Sequence, residues 1–384
     1  MPTMWSRYAK PIDQTFFLFG PRGTGKSTWL HQHFPHARFY DLLRADEYLR
    51  LSKSPELLRA DLSALPKHSW VVIDEVQKVP TLLDEVHTLI ESQKLRFVLS
   101  GSSARKLKRG GANLLAGRAR VLNLFPLVSA EIPHALDADR VLSFGLLPMA
   151  VTGTDPADYL RAYGETYLKE EVAAEALTRN LGGFARFLEI AARQNGQITN
   201  VTNIARDAQV ARQTVQGYFE ILRDTLLGDF LSAWQLKRST HQVAHPKFYF
   251  CDAGITRALS GRLPYPMQAE ERGTLLETWI WHELRAYLSY TGKHYPLHFW
   301  SSRDGVEVDF FFETQTGYCA IEVKSASEWQ SKYQRGLLRL REELGEKHVQ
   351  LWGVYLGEHV QHHGAVTVLP VREFLHHLWQ GKME

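Results

Sequence analysis

The feature that most constrains the fold is a glycine-rich segment between an apolar run and a helical pattern. It follows the apolar residues Phe16–Phe19 and matches the pattern G-x-x-x-x-G-K-[ST] in full. Glycines let the backbone curl so that successive amides point inward, and a following helix adds its positive end. We predict that the nucleotide phosphates are bound by Gly20, Pro21, Arg22, Gly23, Thr24, Gly25, Lys26, Ser27 and Thr28.

Two side chains of this loop have distinct predicted roles. Lys26 is expected to reach the β- and γ-phosphates of ATP, and Ser27 to offer its hydroxyl to Mg²⁺. The alternative is a glycine turn that only opens a helix.

An acidic pair ends a second apolar run. Residues 70–75 read Trp-Val-Val-Ile-Asp-Glu, so Asp74 and Glu75 stand at the carboxyl end of a predicted strand. Ligands bind at that edge of an open α/β sheet. Asp74 suits a Mg²⁺ role and Glu75 suits the deprotonation of a water that attacks the γ-phosphate. Taken alone, the pair also fits a strand end followed by a helix cap.

Small polar and basic residues follow the next strand. Ser100 or Ser102 is a candidate sensor of the γ-phosphate, and a serine helix cap is the alternative. Arg105, Arg118 and Arg120 come next, and we prefer Arg118 as an arginine finger, in cis or from a neighbouring subunit.

The pattern of elements divides the chain into three parts. Short strands alternate with helices over residues 1–125, which predicts an α/β domain with a parallel sheet covered on both faces. Residues 126–236 are mainly helical, with predicted helices at 157–178, 184–195, 201–208 and 212–226. Residues 237–384 return to mixed helices and strands.

The chain resembles the prokaryotic AAA-type ATPases whose core is followed by a C-terminal domain of unknown function. The resemblance is carried by residues 20–28, 72–77, 99–103, 117–118 and 125–127, with Glu131 after them. It implies ATP and Mg²⁺ as ligands and a tendency of some members to assemble as homo-oligomers. Where that pattern often has a second glycine before a proline, this chain reads Gly145-Leu146-Leu147-Pro148.

A helix-turn-helix pattern lies in the middle part. Residues 201–208 and 211–222 read as two helices joined by a short turn, with winged-helix character. A DNA reader would present Arg212, Gln213, Thr214 and Gln216 to the major groove, and Lys237, Arg238, His241 and Lys247 as a basic wing. The alternative is a lid or a protein-binding module.

Two strands near the C-terminus carry acids and a lysine. Glu307 and Asp309 share one face of the first, and Glu322 and Lys324 share one face of the second. The set resembles the PD-(D/E)XK nuclease superfamily, which implies that Asp309 and Glu322 hold Mg²⁺, that Lys324 stabilises negative charge, and that Glu277 or Glu283 is the helical glutamate. The alternative is a nuclease fold kept for packing or partner binding.

Composition excludes several classes. The 45 basic and 42 acidic residues leave a net charge of +3, too small for a polybasic tether, so any binding of DNA requires a local patch. Two cysteines, Cys251 and Cys319, are too few for a disulfide scaffold and favour a cytoplasmic setting. A signal peptide and a membrane-spanning run are not predicted.

Two hypotheses follow. The first is an ATPase that couples Mg-ATP hydrolysis to binding or processing of double-stranded DNA. The second is a nucleotide-regulated protein-interaction ATPase whose nuclease fold is inert. A small-molecule kinase is disfavoured by the Asp74-Glu75 pair and by the two further domains.

Overall fold

The computed structural model describes residues 5–103, 114–132, 136–167, 180–234, 245–302, 304–345 and 348–383. The chain divides into two compact units. The phosphate-loop unit comprises Ala9–Pro126 and Ile221–Leu227. The second unit comprises Met1–Tyr8, Leu127–Glu220 and Gly228–Glu384. The three-part division at residues 125 and 236 stays a prediction.

A five-stranded sheet forms the phosphate-loop unit. Its strands are β1 (Phe16–Phe19), β2 (Arg38–Asp41), β3 (Trp70–Asp74), β4 (Arg96–Gly101) and β5 (Arg120–Asn123). Its helices are α1 (Lys26–His33), α2 (Ala45–Lys53), α3 (Leu57–Leu62) and α4 (Leu82–Gln93). The strand order is β2-β3-β4-β1-β5 and every pair is parallel. The predicted α/β fold with a parallel sheet is confirmed.

Burial explains why these segments form strands. All four residues of β1 are buried because β1 lies between β4 and β5, with helices supplying the cover. In α4 the buried Leu82, Leu83, Val86 and Leu89 recur at helical spacing and pack on the core.

The second unit has more helices than the first. They are α5 (Ala138–Phe144), α6 (Pro148–Thr152), α7 (Pro156–Ala162), α8 (Leu181–Arg193), α9 (Val201–Ala208), α10 (Arg212–Asp224), α11 (Ala253–Leu259), α12 (Ala269–Tyr290), α13 (Arg335–Leu344) and α14 (Val371–Trp379). The last turn of α10 groups with the phosphate-loop unit. Of the predicted helix 157–178, residues 168–178 lie outside the described part.

A mixed sheet forms the core of this unit. Its strands are β6 (Gly228–Ala233), β7 (Lys247–Phe250), β8 (His298–Ser301), β9 (Glu307–Glu313), β10 (Tyr318–Lys324), β11 (Val349–Tyr355), β12 (Gln361–His363) and β13 (Val366–Pro370). They run in the order β12-β13-β11-β10-β9-β8-β6-β7. The predicted hairpin is present, since β9 and β10 pair antiparallel. Over the described residues, no helix combines the length and apolar character needed to cross a bilayer.

Two glycines of the second unit give a matched stability prediction. A Cβ at Gly254 would collide with the backbone carbonyl of Phe144 and stand 2.9 Å from the Gly145 nitrogen, whereas one at Gly217 meets nothing within 4 Å. Gly254→Ala is therefore expected to lower the free energy of unfolding by about 1–3 kcal/mol, because the backbone at Phe144 must shift to make room for the methyl group. Gly217→Ala is expected to stabilise α10 by up to about 1 kcal/mol. Denaturant titration of both variants checks the opposite signs, and an unchanged midpoint for Gly254→Ala would contradict the packing.

Candidate functional site

The predicted phosphate loop leaves β1 at its carboxyl end and enters α1. Gly23 and Gly25 have φ of 82° and 86°, a region that side chains with a Cβ rarely adopt. Thr24 Oγ1 donates to the Pro21 carbonyl at 2.9 Å, which closes the turn. The residue before α1 is Gly25, which has no side chain to cap the first amides of the helix. The loop therefore presents backbone donors and a helix N-terminus, which fits phosphate oxygens.

Lys26 is held against the loop itself. Its ammonium donates to the carbonyls of Gly20 at 2.8 Å and Pro21 at 3.1 Å, and the residue is buried. The charge is thus fixed at the mouth of the loop.

Asp74 joins three elements at the same sheet edge. Its carboxylate accepts from Ser27 Oγ at 2.7 Å and from Ser100 Oγ. Ser100 lies in β4 and is fully buried. Its hydroxyl therefore links β4 to Asp74 at the end of β3. A hydroxyl bonded to a buried carboxylate is the donor set that Mg²⁺ takes beside a nucleotide, so Ser27 and Asp74 fit that ion.

Glu75 follows directly and has a left-handed backbone. Its φ of 62° is uncommon outside glycine and carries local strain of the kind found at active sites. Gln77 Nε2 donates to Glu75 Oε2 at 2.6 Å and to Ser102 Oγ at 3.3 Å. Gln77 has no predicted role in the sequence analysis. Its position two residues after Glu75 is the sequence feature that could have indicated one.

Arg118 is not brought to the loop within this unit. It precedes β5, whose first residue Arg120 pairs with Phe16 at the amino end of β1. The loop leaves the other end of β1, about 13 Å away for a four-residue strand. Arg118 Nε instead bonds Glu91 at 2.5 Å on the surface. An arginine-finger role then requires a neighbouring subunit and stays a prediction; Arg105 lies outside the described residues.

The predicted helix-turn-helix segment folds as α9, a turn and α10. Gln209 takes φ of 54° and the Val210 amide donates back to the Ala205 carbonyl at 3.0 Å, which ends α9 sharply. Val215 is buried, whereas Arg212, Gln213 and Gln216 are exposed on α10. The turn therefore leaves a polar face of α10 open.

The prediction that Lys247 belongs to a surface wing is wrong. Lys247 opens β7 and is buried, with its ammonium 2.8 Å from Glu307 Oε2. Besides Glu307, the charges of Asp309 and Glu277 act on this ammonium, and none of these acids lies on β6, the strand that pairs with β7. Lys237, Arg238 and His241 lie outside the described residues.

The C-terminal acids meet around one lysine. Lys324 Nζ lies 2.5 Å from Glu322 Oε1 and 3.7 Å from Asp309 Oδ2. Asp309 also accepts from the Val323 amide at 2.7 Å. Both carboxylates are buried. We call Glu277, Asp309, Glu322 and Lys324 the acid cluster.

Burial and mutual charge perturb the acid cluster. Burial, followed by the charge of Asp309, raises the pKa of Glu277 to about 8. The same two causes hold the pKa of Glu322 well above its usual range. Burial alone would lower the pKa of Lys324, but Asp309 and Glu322 raise it. The cluster therefore has more buried acid than its lysine neutralises.

Glu277, and not Glu283, is the helical glutamate that faces this cluster. Tyr249 donates to Glu277 Oε2 at 2.9 Å, and the negative charge of Asp309 contributes to the raised pKa of Glu277. Glu283 accepts instead from Ser129 and from two tryptophans, Trp279 and Trp379. Six residues along a helix turn the side chain to a different face.

Two buried carboxylates of the acid cluster, Asp309 and Glu322, are candidate ligands for a metal ion. Within the described residues, no group of three or more His, Cys, Asp or Glu side chains is arranged to hold an ion. Glu322 Oε2 is buried and has no hydrogen-bond partner among the described residues. Mg²⁺ keeps most of its waters and needs only one or two carboxylates, so Asp309 and Glu322 fit it.

Family models match three consecutive segments. Residues 13–132 match an AAA domain. Residues 136–265 and 272–374 each match a domain of unknown function, DUF8612 and DUF4143 respectively.

Curated relatives and solved structures are distant. An uncharacterized protein of Mycobacterium tuberculosis is 27% identical over 321 residues, covering 81% of this chain and 70% of that protein. One of Haemophilus influenzae is 22% identical over 66% of this chain and 71% of its own. The Aeropyrum pernix Orc1 protein, solved with DNA, is 15% identical over 66% of this chain and 87% of its own, with a TM-score of 0.26. Can2 from Sulfobacillus thermosulfidooxidans is 13% identical over 97% of this chain and all of its own, with a TM-score of 0.23. Such scores are too low to bear on fold or function.

The loop, its acidic partner and the parallel sheet agree with the AAA domain match. Two domains of unknown function follow it. Residues 13–132 thus have the parallel sheet and the phosphate loop expected of the AAA domain that they match.

Proposed function

We propose that this protein binds and hydrolyses Mg-ATP and couples the reaction to double-stranded DNA. The observation that carries the ATPase part is the bonding of Ser27 and Ser100 to Asp74, with Glu75 next in the chain. This arrangement puts a metal-binding pair and a candidate base at the edge where the phosphate loop opens.

Each part of the site has a distinct role in this proposal. Backbone amides of the loop and the Lys26 ammonium bind the β- and γ-phosphates and stabilise the charge that develops there. Ser27 and Asp74 would hold Mg²⁺, which would neutralise phosphate charge. The Glu75 carboxylate accepts a proton from the water that attacks the γ-phosphorus, while the bond to the β-phosphate oxygen breaks and ADP leaves.

The DNA part rests on the helix-turn-helix segment. Arg212 and Gln213 stand at the start of α10, exposed, and the first residues of such a helix reach base edges in the major groove. Guanidinium and amide groups recognise guanine and adenine edges or phosphates. Glu220 is exposed on the same helix and Asp224 is half-buried, so the contact is confined to the amino-terminal turns.

ATP turnover with and without double-stranded DNA tests the coupling. Wild-type turnover is expected to rise several-fold with DNA. The Arg212→Ala/Gln213→Ala pair is expected to lose this stimulation. It should also lower the slope of log K against log[salt] by about one ion, since Arg212 is the one positive charge removed. Arg193→Ala, an exposed arginine paired only with Glu189 among the contacts described, is the control. If DNA does not change the rate of ATP turnover and the protein does not bind DNA at low salt, the protein-interaction alternative is favoured.

The acid cluster adds a nuclease-like activity to the proposal. Asp309 and Glu322 hold Mg²⁺, and the Lys324 ammonium beside both stabilises charge on a phosphodiester. The alternative, an inert fold, is favoured by one observation: Lys324 already pairs with Glu322 at 2.5 Å.

Nicking of supercoiled plasmid separates these two alternatives. Mg²⁺-dependent nicking by the wild type is expected to disappear in Lys324→Ala and in Asp309→Asn. The second variant keeps an acceptor for the Val323 amide and so protects against a loss that reflects unfolding. Lys332→Ala, exposed in the same unit, is the control. Equal nicking by all four proteins, or no nicking by the wild type, would favour the alternative that the nuclease-like fold is inert.

A further inference from the structure

Gln77 occupies a position that packing alone does not explain. It lies in a short helical turn after β3 and is 4% exposed. Its Oε1 is buried and has no hydrogen-bond partner among the described residues. An unpaired buried acceptor costs free energy that an apolar side chain of the same size would avoid.

The other end of the amide explains why a glutamine is present. Glu75 Oε2 is a carboxylate oxygen and only accepts, so the group 2.6 Å from it is the amide nitrogen. The same nitrogen donates to Ser102 Oγ at 3.3 Å, just past the end of β4. One amide thus joins the carboxylate of the candidate base to the neighbouring strand end.

The backbone leaves room for this amide. A Cβ built on Gly101 would collide with Gln77 Oε1. Gly101 is the last residue of β4, where any larger residue would displace the glutamine. The absence of a side chain at residue 101 therefore leaves space for the Gln77 amide beside Glu75.

We infer that Gln77 is a positioning residue for ATP hydrolysis, which holds the Glu75 carboxylate in register with Ser102. This rests on the proposed ATPase function. A donor at this distance fixes the direction of the carboxylate that is to accept the proton of the attacking water. The end of β4 and the base are thereby linked through a single side chain.

Gln77→Met tests the inference, since methionine matches the volume and shape of glutamine without the amide. We expect single-turnover ATP hydrolysis to fall at least ten-fold, with the affinity for ATP within two-fold of the wild type. Gly101→Ala should lower the rate in the same way, because its methyl group displaces the amide. Gln93→Met is the matched control, a glutamine of the same unit whose Oε1 is also buried without a partner among the described residues.

A double-mutant cycle distinguishes positioning from packing. In a Glu75→Gln background, Gln77→Met should change the rate by less than two-fold, because the carboxylate it positions is gone. An unchanged rate in Gln77→Met, or equal losses with and without Glu75, overturns the inference. If the wild type shows no turnover, or turnover that survives Lys26→Ala, the proposed function itself fails. Turnover lost in Lys26→Ala but intact in Gln77→Met removes only the role of Gln77.

Discussion

Lys26→Ala is expected to abolish ATP turnover and to weaken ATP binding while the phosphate-loop unit stays folded. The Lys26 ammonium carries a full positive charge at the mouth of the loop, where it is buried and held by the Gly20 and Pro21 carbonyls. Removing such a charge from a developing phosphate oxyanion costs on the order of 100-fold or more in rate. The fold survives because β1, the glycine turn and α1 are set by buried apolar residues and by Gly23 and Gly25.

Phosphate release, nucleotide titration and circular dichroism on one preparation check this result. Lys53→Ala, an exposed lysine at the end of α2, should behave as the wild type. Wild-type turnover in Lys26→Ala would remove the phosphate loop from the assignment.

Glu75→Gln is expected to lower the rate of ATP hydrolysis without lowering the affinity for ATP. The amide keeps the shape of the side chain but cannot accept the proton of the attacking water. Loss of a general base lowers the rate by about 100- to 10,000-fold. ATP binding should persist because Lys26, Ser27 and Asp74 are unchanged.

The contrast between the two variants is the strongest check on the roles. Lys26→Ala should lose affinity and rate, whereas Glu75→Gln should lose rate alone and accumulate bound ATP. Glu56→Gln, an exposed glutamate before α3, is the control for the second variant. Full turnover by Glu75→Gln would mean that another group activates the water.

Local patterns determined the parts of the fold that depend on near neighbours in sequence. The phosphate loop, the strand that ends at Asp74 and the helix Val201–Ala208 were all predicted and are present. Glycines that demand positive φ, apolar runs buried on both faces and helical spacing are properties of a few adjacent residues. The pairing of β9 with β10 belongs here too, because a short turn brings the strands together.

Other strands left a weaker signal. β6, β7, β12 and β13 are short and were not predicted. β6 pairs with β8, which lies far along the chain, whereas β12 pairs with β13, the next strand. Short segments of this kind become strands only when a neighbouring strand supplies hydrogen bonds.

The sequence by itself predicted which residue types of the phosphate loop and of the acid cluster are candidates for chemistry. Only the tertiary structure decided which of them meet. It selected Glu277 over Glu283, buried Lys247 against Glu307, kept Arg118 away from the loop of its own unit and joined Gln77 to Glu75. The physical reason is that residue type and local spacing fix a side chain's capacity to bind or to titrate, whereas its partners depend on the crossing of distant elements, which no local spacing encodes.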